Sequence, residues 1–266
     1  MNYTERALIM ILLVSMVSSC STVPITGRKQ VNLLPESEMI AMGFSSYSEF
    51  MNTAPLSSNT AMTSMVKEVG SNISGAVIKY FDDNGLSSRI EGYEWELNLF
   101  ADDTPNAWAM PGGKIAVYEG ILPYTRSQEG LAVVVGHEIA HIVARHGNER
   151  MSQQLLVQLG GIALNEALNE KPEETRNIFL AVYGVGTQVG GILPYSREHE
   201  KEADKLGLIF MAMAGYDPSS AIEFWERMAE AGGSKPPEFL STHPSDASRI
   251  AEMKKNLPEA MKYYNK

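Results

Sequence analysis

Apolar and polar residues follow a helical period over most of the chain. Helices are predicted over 36–51 and about 59–77, and over nearly everything from residue 127 onward. The segment 127–146 is apolar on most sides, which predicts a buried helix that carries a few polar groups. The later segment 147–196 is glycine-rich, and we expect it to form a helical insertion that covers the cleft of the domain rather than a membrane contact.

A period of two replaces this pattern between the two helical regions. Trp95, Leu97 and Leu99 alternate with polar residues, as in a half-buried strand. Two further short strands are predicted within 107–122, around a turn that begins at Pro111. Together these elements predict an α+β fold that is predominantly helical, with one small sheet.

The first nineteen residues are interpreted as a signal peptide, because the apolar run 7–17 follows a short polar start and is too short for a comfortable membrane span. The run ends in VSSC, which resembles the bacterial lipobox, so Cys20 is expected to carry a lipid and to become the mature N-terminus. Residues 20–35 would then form a tether, and 36–266 would form one domain. Because Cys20 is the only cysteine, the exported domain is expected to lack an internal disulfide.

The segment VVVGHEIAH (133–141) places two histidines four residues apart. On a helix, His137 and His141 project from the same face, as two ligands of one zinc ion must. Glu138, between them, is the residue type that acts as general base in such a motif. His146 lies on the opposite side of the helix from His137, and it is interpreted as a satisfied histidine near the helix end.

A third ligand must come from elsewhere in the chain, and a helix predicted over YSREHEKEADKLG (195–207) offers candidates. A helical wheel places Glu200 and Asp204 one turn apart on the inward half, and it places Glu202 among exposed charges on the outer face. His199 lies at the edge of the apolar face and remains a competing ligand.

The pair of motifs HEIAH and SREHEKEAD resembles the gluzincin metallopeptidases related to the CAAX prenyl protease, and among them the soluble Oma-type and HtpX-type enzymes of peptidase family M forty-eight. The resemblance extends to 106–122 and 241–250 and covers roughly 36–255. It implies a zincin-like catalytic domain with a small mixed sheet beside the HExxH helix. It also implies one Zn²⁺ per chain, with Glu200 as the third ligand after the two motif histidines, His137 and His141.

Two carboxylates would assist this zinc site. Glu138 would take a proton from the attacking water and pass it to the departing amine. Asp204 would accept a hydrogen bond from the far nitrogen of a ligand histidine, with His137 as the expected donor, and would thereby fix its tautomer. A structural salt bridge is the alternative for Asp204.

Three further features have open roles near the expected cleft. His243 would stabilise the oxyanion, occupy the fourth zinc position and keep the enzyme latent, or cap the final helix from a loop. Arg249 is interpreted as part of a surface salt bridge rather than as an oxyanion group. An extended substrate would add to a sheet edge formed by Asn106, Ala107, Trp108, Ala109 and Met110, unless these residues only complete the sheet.

The sequence is therefore interpreted as a lipid-anchored, exported zinc metalloendopeptidase that degrades unfolded or misassembled envelope proteins. Ser21 after the cysteine favours the outer membrane, facing the periplasm of a Gram-negative bacterium. The alternative is a chaperone or scaffold lipoprotein that keeps the fold without cleaving, and hydrolysis of a non-peptide substrate is a third interpretation. A net charge of −10 argues against nucleic acid as a partner.

Overall fold

The computed structural model describes residues 20–169, 171, 173–187, 193–231, 238–243 and 247–264. The expected signal peptide, 1–19, lies outside the described residues. The chain divides into two compact units, one formed by 1–36 with 146–198 and the other by 37–145 with 199–266.

The helices begin and end as follows: α1 Glu36–Thr53, α2 Thr60–Asp83, α3 Leu122–Thr125, α4 Gln128–Val143, α5 His146–Ala167, α6 Glu173–Thr187, α7 Leu193–Met213, α8 Ser220–Ala231, α9 Glu238–Thr242 and α10 Ala247–Ala260. The two predicted N-terminal helices are confirmed as α1 and α2. Helix α2 starts where predicted because the Asn59 side chain accepts the backbone N–H of Met62 and so caps the helix. Among the described helices, none has the length and apolar character needed to cross a bilayer.

The first unit attaches a short strand pair to helix α5. Strands β1 (Cys20–Thr22) and β2 (Lys29–Val31) pair antiparallel within the segment expected to be a tether. The guanidinium of Arg28 donates bonds of 2.9 and 2.7 Å to the buried carboxylate of Glu149 on α5. A bidentate pair of this kind is among the stronger side-chain contacts, so it fixes this N-terminal segment to the helix.

The second unit contains a three-stranded sheet. Its strands are β3 (Glu96–Phe100), β4 (Ala107–Met110) and β5 (Lys114–Tyr118), in the spatial order β3-β5-β4. Strand β5 pairs parallel with β3 and antiparallel with β4, so the sheet is mixed. Helix α4 packs against β4, and the prediction of a mainly helical α+β fold with a small mixed sheet beside the HExxH helix is confirmed.

The prediction that β3 is half-buried is wrong, because all of Leu97–Phe100 is buried. Helix α1 covers the face that was expected to contact solvent. There Asn98 donates to the hydroxyl of Tyr47 at 3.1 Å, and that hydroxyl lies 3.3 Å from the carbonyl of Ile115. The Asn98 amide is tolerated in the interior because it has a hydrogen-bond partner. Its polar character in the alternating pattern therefore did not indicate an exposed face.

Candidate metal centre

Helix α4 brings polar groups into an apolar interior. Every residue from Gly130 to Val143 is buried except His141, and the Ser127 hydroxyl caps the helix by accepting the Gly130 N–H. His137 and His141 project from one face with their Nε2 atoms 3.1 Å apart. Two imidazole nitrogens that converge in such surroundings need a shared partner, and a metal ion is the simplest one.

Two glycines let helix α7 approach α4 closely enough to complete this face. A Cβ on Gly207 would lie 3.0 Å from the backbone nitrogen of His137, and a Cβ on Gly136 would lie 3.0 Å from the Gly207 carbonyl oxygen. Glu200, two turns before Gly207 on α7, therefore reaches the histidines. Its carboxylate oxygens lie 3.3 Å from His137 Nε2 and 3.4 Å from His141 Nε2.

His243, which follows helix α9, supplies a fourth donor to the same group. Its Nδ1 lies 3.2 Å from His137 Nε2 and 3.0 Å from Glu200 Oε2. Its Nε2 lies 3.3 Å from Oε1 of Glu138. The imidazole therefore bridges the group of potential ligands and the expected general base.

The spacing of these atoms fits a tetrahedral metal ion. Donor atoms of His137, His141, Glu200 and His243 all lie within 4.8 Å of one another. Zinc–ligand bonds of about 2.0–2.1 Å in tetrahedral geometry place neighbouring donors about 3.3–3.4 Å apart. Five of the donor pairs lie 3.0–3.4 Å apart, near that spacing, and three imidazoles with one carboxylate are a donor set that suits zinc.

Asp204 and Arg249 form a buried ion pair behind the histidines. Asp204 Oδ1 lies 3.0 Å from Nδ1 of His137, the distance expected if His137 donates its far N–H. Arg249 contacts the same carboxylate through Nε at 2.6 Å and through Nη2 at 2.7 Å. The interpretation of Arg249 as a surface residue is wrong, since its side chain is 3% exposed. A usable signal existed: Arg249 lies one helical turn before buried Met253 on the inward stripe of α10.

Burial and charge act in opposite directions on these groups. Burial lowers the pKa of His137, yet hydrogen bonds and charge from Asp204 and Glu200 outweigh it and raise that pKa to about 9. For His141, burial dominates and lowers the pKa to about 3. Burial opposes ionisation of Asp204, but the Arg249 guanidinium and His137 hold its pKa below the usual value. Burial likewise opposes ionisation of Glu200, and the surrounding histidines lower its pKa. The carboxylates are therefore ionised at neutral pH.

Other residues singled out in the sequence lie apart from this group. His199 is buried beside Glu200 but is not among the four clustered donors. Glu202 was expected in solvent, and this is wrong, because it is 7% exposed. Helix α10 packs near that side of α7, where Lys205 pairs with Glu259 at 2.8 Å, so the charged face of α7 is only partly solvated. His146 is buried and is the first residue of α5, and its expected role at the end of the preceding helix stays a prediction.

Strand β4 lies at one edge of the described sheet. On its inner side, Tyr118 of β5 donates its N–H to the Asn106 carbonyl at 3.1 Å. Just before the strand, the Pro105 carbonyl accepts the N–H of Phe239, four residues before His243, at 2.9 Å. The backbone segment that carries the expected substrate edge is thus bonded to the segment that presents His243.

Comparison with known proteins assigns this arrangement to a family. Residues 78–257 match Peptidase family M48. The chain is 41% identical over 175 residues to the mitochondrial metalloendopeptidase OMA1 of Schizosaccharomyces pombe, which covers 65% of this chain and 50% of the relative. It is 32% identical over 259 residues to the mitochondrial metalloendopeptidase OMA1 of Bos taurus, covering 94% of this chain and 46% of the relative.

A bacterial relative gives a similar result. The beta-barrel assembly-enhancing protease of Escherichia coli is 26% identical over 245 residues, covering 88% of this chain and 47% of the relative. The chain thus spans about half the length of the curated relatives it matches. Since the family match covers more than half of the chain, the resemblance suggested by the two motifs is confirmed: this chain belongs to peptidase family M48.

Proposed function

We propose that the protein is a zinc metalloendopeptidase that hydrolyses peptide bonds of unfolded or misassembled envelope proteins. The observation that carries the proposal is the convergence of His137, His141 and Glu200 on one point, with Glu138 beside them. The family membership supports the chemistry, and relatives named metalloendopeptidase and beta-barrel assembly-enhancing protease support protein substrates.

The proposed reaction divides the work among buried side chains. His137, His141 and Glu200 would hold the zinc ion, which would supply Lewis-acid chemistry at the scissile carbonyl. Glu138 accepts a proton from the attacking water and delivers it to the departing amine. Because the Glu138 side chain is only 3% exposed, bulk water does not compete for that proton. Asp204 holds Nδ1 of His137, so that Nε2 points at the metal position.

His243 is best explained as a fourth ligand that keeps the enzyme latent. An oxyanion-stabilising histidine would point at the substrate carbonyl, whereas this imidazole directs Nδ1 at Glu200 and His137 and Nε2 at Glu138. Substrate entry would then require His243 to leave. If His243 never leaves the metal site, the same geometry fits the alternative, a chaperone that does not cleave its clients.

Strand β4 is proposed to bind the substrate. An extended peptide would add to this edge through main-chain hydrogen bonds, with Asn106, Ala107, Trp108, Ala109 and Met110 as the contact strand. Binding through the backbone tolerates many sequences, which fits unfolded clients. The Trp108 side chain also stabilises the sheet, since its Nε1 donates to the Tyr118 hydroxyl at 3.0 Å.

The proposed location is the periplasmic face of the outer membrane, with a lipid on Cys20. This rests on the lipobox-like VSSC and on the name of the bacterial relative. Cys20 is the first residue of β1, which pairs with β2, and Arg28 just before β2 bonds to Glu149 of α5. A lipid on Cys20 would therefore hold the first unit at the bilayer surface. Release of the protein from membranes by Cys20→Ala would test this location.

The deciding experiment is degradation of casein by the mature chain, wild type beside Glu138→Gln. We expect cleavage by the wild type and a loss of about 10²–10⁴-fold in the variant, with equal zinc content in both. If neither protein cleaves, His243→Ala is assayed. Cleavage by that variant would identify a latent peptidase, and its absence would favour the non-cleaving chaperone.

A further inference from the structure

Arg249, the buried arginine of α10, contacts three separate parts of the metal centre. Through Nε and Nη2 it grips both oxygens of Asp204, which faces His137. Through Nη1 it donates to the main-chain carbonyl of His243 at 3.0 Å. Nη1 also lies 3.4 Å from Oε2 of Glu200. The Arg249 guanidinium therefore contacts Asp204, which faces His137, and also the Glu200 carboxylate and the His243 backbone.

The plane of this guanidinium is held from one side. Arg249 Cζ lies 4.0 Å from the ring centroid of Trp225 on α8, a cation–π distance in a site where both side chains are buried. The Trp225 ring stacks on the Phe239 ring with 5.7 Å between their centroids, and the Phe239 and His243 ring centroids lie 4.7 Å apart. Aromatic packing and hydrogen bonds thus fix Arg249 and the His243 segment relative to each other.

We propose that Arg249 is a positioning residue that sets the geometry of the whole ligand group, by joining the Asp204 support of His137 to the backbone of His243. The inference rests on the proposed metal site, but not on peptidase activity. The Arg249 side chain is 3% exposed and its nitrogens contact Asp204, Glu200 and the His243 carbonyl, so we assign it to positioning rather than to an oxyanion group.

Only an arginine satisfies these contacts together. The planar fork supplies two parallel N–H groups to Asp204 and, from the third nitrogen, a bond in another direction. A lysine at this position keeps the positive charge beside Asp204 but not the simultaneous bond to the His243 carbonyl. Arg249→Lys is therefore the informative change, since it separates charge from geometry.

The test measures metal binding by the full mature chain. Zinc affinity is determined by chelator competition, and the coordination geometry is read from the visible absorption of the Co²⁺ form. Outer partners of metal ligands typically contribute about 10–100-fold in affinity, so we expect Arg249→Lys to weaken zinc binding by about that factor and to change the Co²⁺ spectrum. The matched control is Lys254→Met on the same helix, which removes an exposed ion pair with Glu226 and should change neither property.

A second comparison separates positioning from general stability. In an Asp204→Asn background, Arg249→Lys should cost less zinc affinity than it does in the wild type, because only the bond to the His243 carbonyl remains to be lost. Wild-type zinc affinity and spectrum in a folded Arg249→Lys protein would overturn the inference. So would failure of both Arg249→Lys and Arg249→Gln to fold, since the arginine would then stabilise the fold rather than the site. If the wild type binds no zinc, the proposed function fails instead.

Discussion

Two pairs of helices, α4 with the 199–213 part of α7 in the second unit and α5 with α6 in the first, use glycine for different purposes. In the first pair, Gly136 and Gly207 let two backbones touch beside His137. In the second pair, Gly160 leaves space for the Tyr183 hydroxyl, which donates to the Val157 carbonyl at 3.0 Å. A backbone cannot move aside, whereas a tyrosine can adopt another rotamer. The same residue type is therefore essential in one contact and replaceable in the other.

The two pairs of helices also differ in what they bury. Helix α4 is enclosed, and its polar groups converge on one another. Helices α5 and α6 instead leave large apolar side chains more than half exposed: Leu159, Ile162, Phe179 and Val182. We therefore expect the tightly packed pair to hold the chemistry. Substitutions in α5 and α6, together called the hairpin below, should leave that chemistry unchanged.

The largest effect on zinc affinity is expected from a side chain placed between α4 and α7. Gly207→Val should abolish measurable zinc binding, because its Cβ would press on the His137 backbone and displace Glu200 from the histidines. The same change in the hairpin, Gly160→Val, should leave zinc affinity at the wild-type level, because the Tyr183 side chain can move aside. Chelator competition on both variants checks this, and equal losses in the two would contradict the comparison.

A smaller effect on zinc affinity is expected from Asp204, which lies behind His137. Asp204→Asn should weaken zinc binding by about 10–100-fold, because an uncharged amide, with one oxygen to serve both Arg249 and His137, holds the His137 tautomer less firmly than a carboxylate does. The control is Glu226→Gln, which removes only an exposed pair with Lys254. Retention of full affinity by the Asp204 variant would mean that Arg249, rather than His137, is the important partner of Asp204.

The pH dependence of metal binding follows from His137. In the metal-free protein its pKa is raised to about 9, so the imidazole is protonated at pH 7, and zinc must displace that proton. His141, with a pKa lowered to about 3, is already neutral. We expect release of about one proton per zinc at pH 7 and up to about tenfold tighter binding per pH unit up to pH 9.

Calorimetry in buffers of different ionisation enthalpy measures this proton release. The stability of the metal-free fold changes with pH in the opposite direction to zinc affinity. The raised pKa of His137 stabilises the fold below about pH 6.5, and this contribution is lost as pH rises through 9. Zinc binding without proton release at pH 7 would show that His137 is neutral before the metal arrives.

The smallest effect is expected within the hairpin. Tyr183→Phe removes the hydrogen bond to the Val157 carbonyl and should cost about 0.5–1.5 kcal/mol of stability, without change in zinc affinity. Thermal unfolding of the metal-free protein, compared with zinc titration, checks both parts. A loss of zinc affinity in this variant would mean that the hairpin does influence the metal centre.

Much of this architecture was accessible from periodicity and from two motifs. Helices α1 and α2, the strands of the small sheet, the buried character of α4 and the family were all predicted correctly. The role of 147–196 as a cover over the cleft stays a prediction, as do the individual roles of the site residues. The errors concern burial: Asn98, Glu202 and Arg249 are polar residues that period and charge placed in solvent and that tertiary contacts enclose.

The sequence by itself determined which residues are capable of this chemistry and which of them share a helix face, because helical geometry fixes the positions of His137 and His141 within a few residues. Only the tertiary structure decided that Glu200 rather than His199 meets those histidines, that His243 points inward, and that Arg249 lies behind Asp204. These contacts join residues 43 to 106 positions apart in the sequence. The sequence does not show them, because they depend on how closely α7 packs against α4 and α10 against α8. That packing is set by glycine contacts and aromatic surfaces, which leave no periodic signature in the sequence.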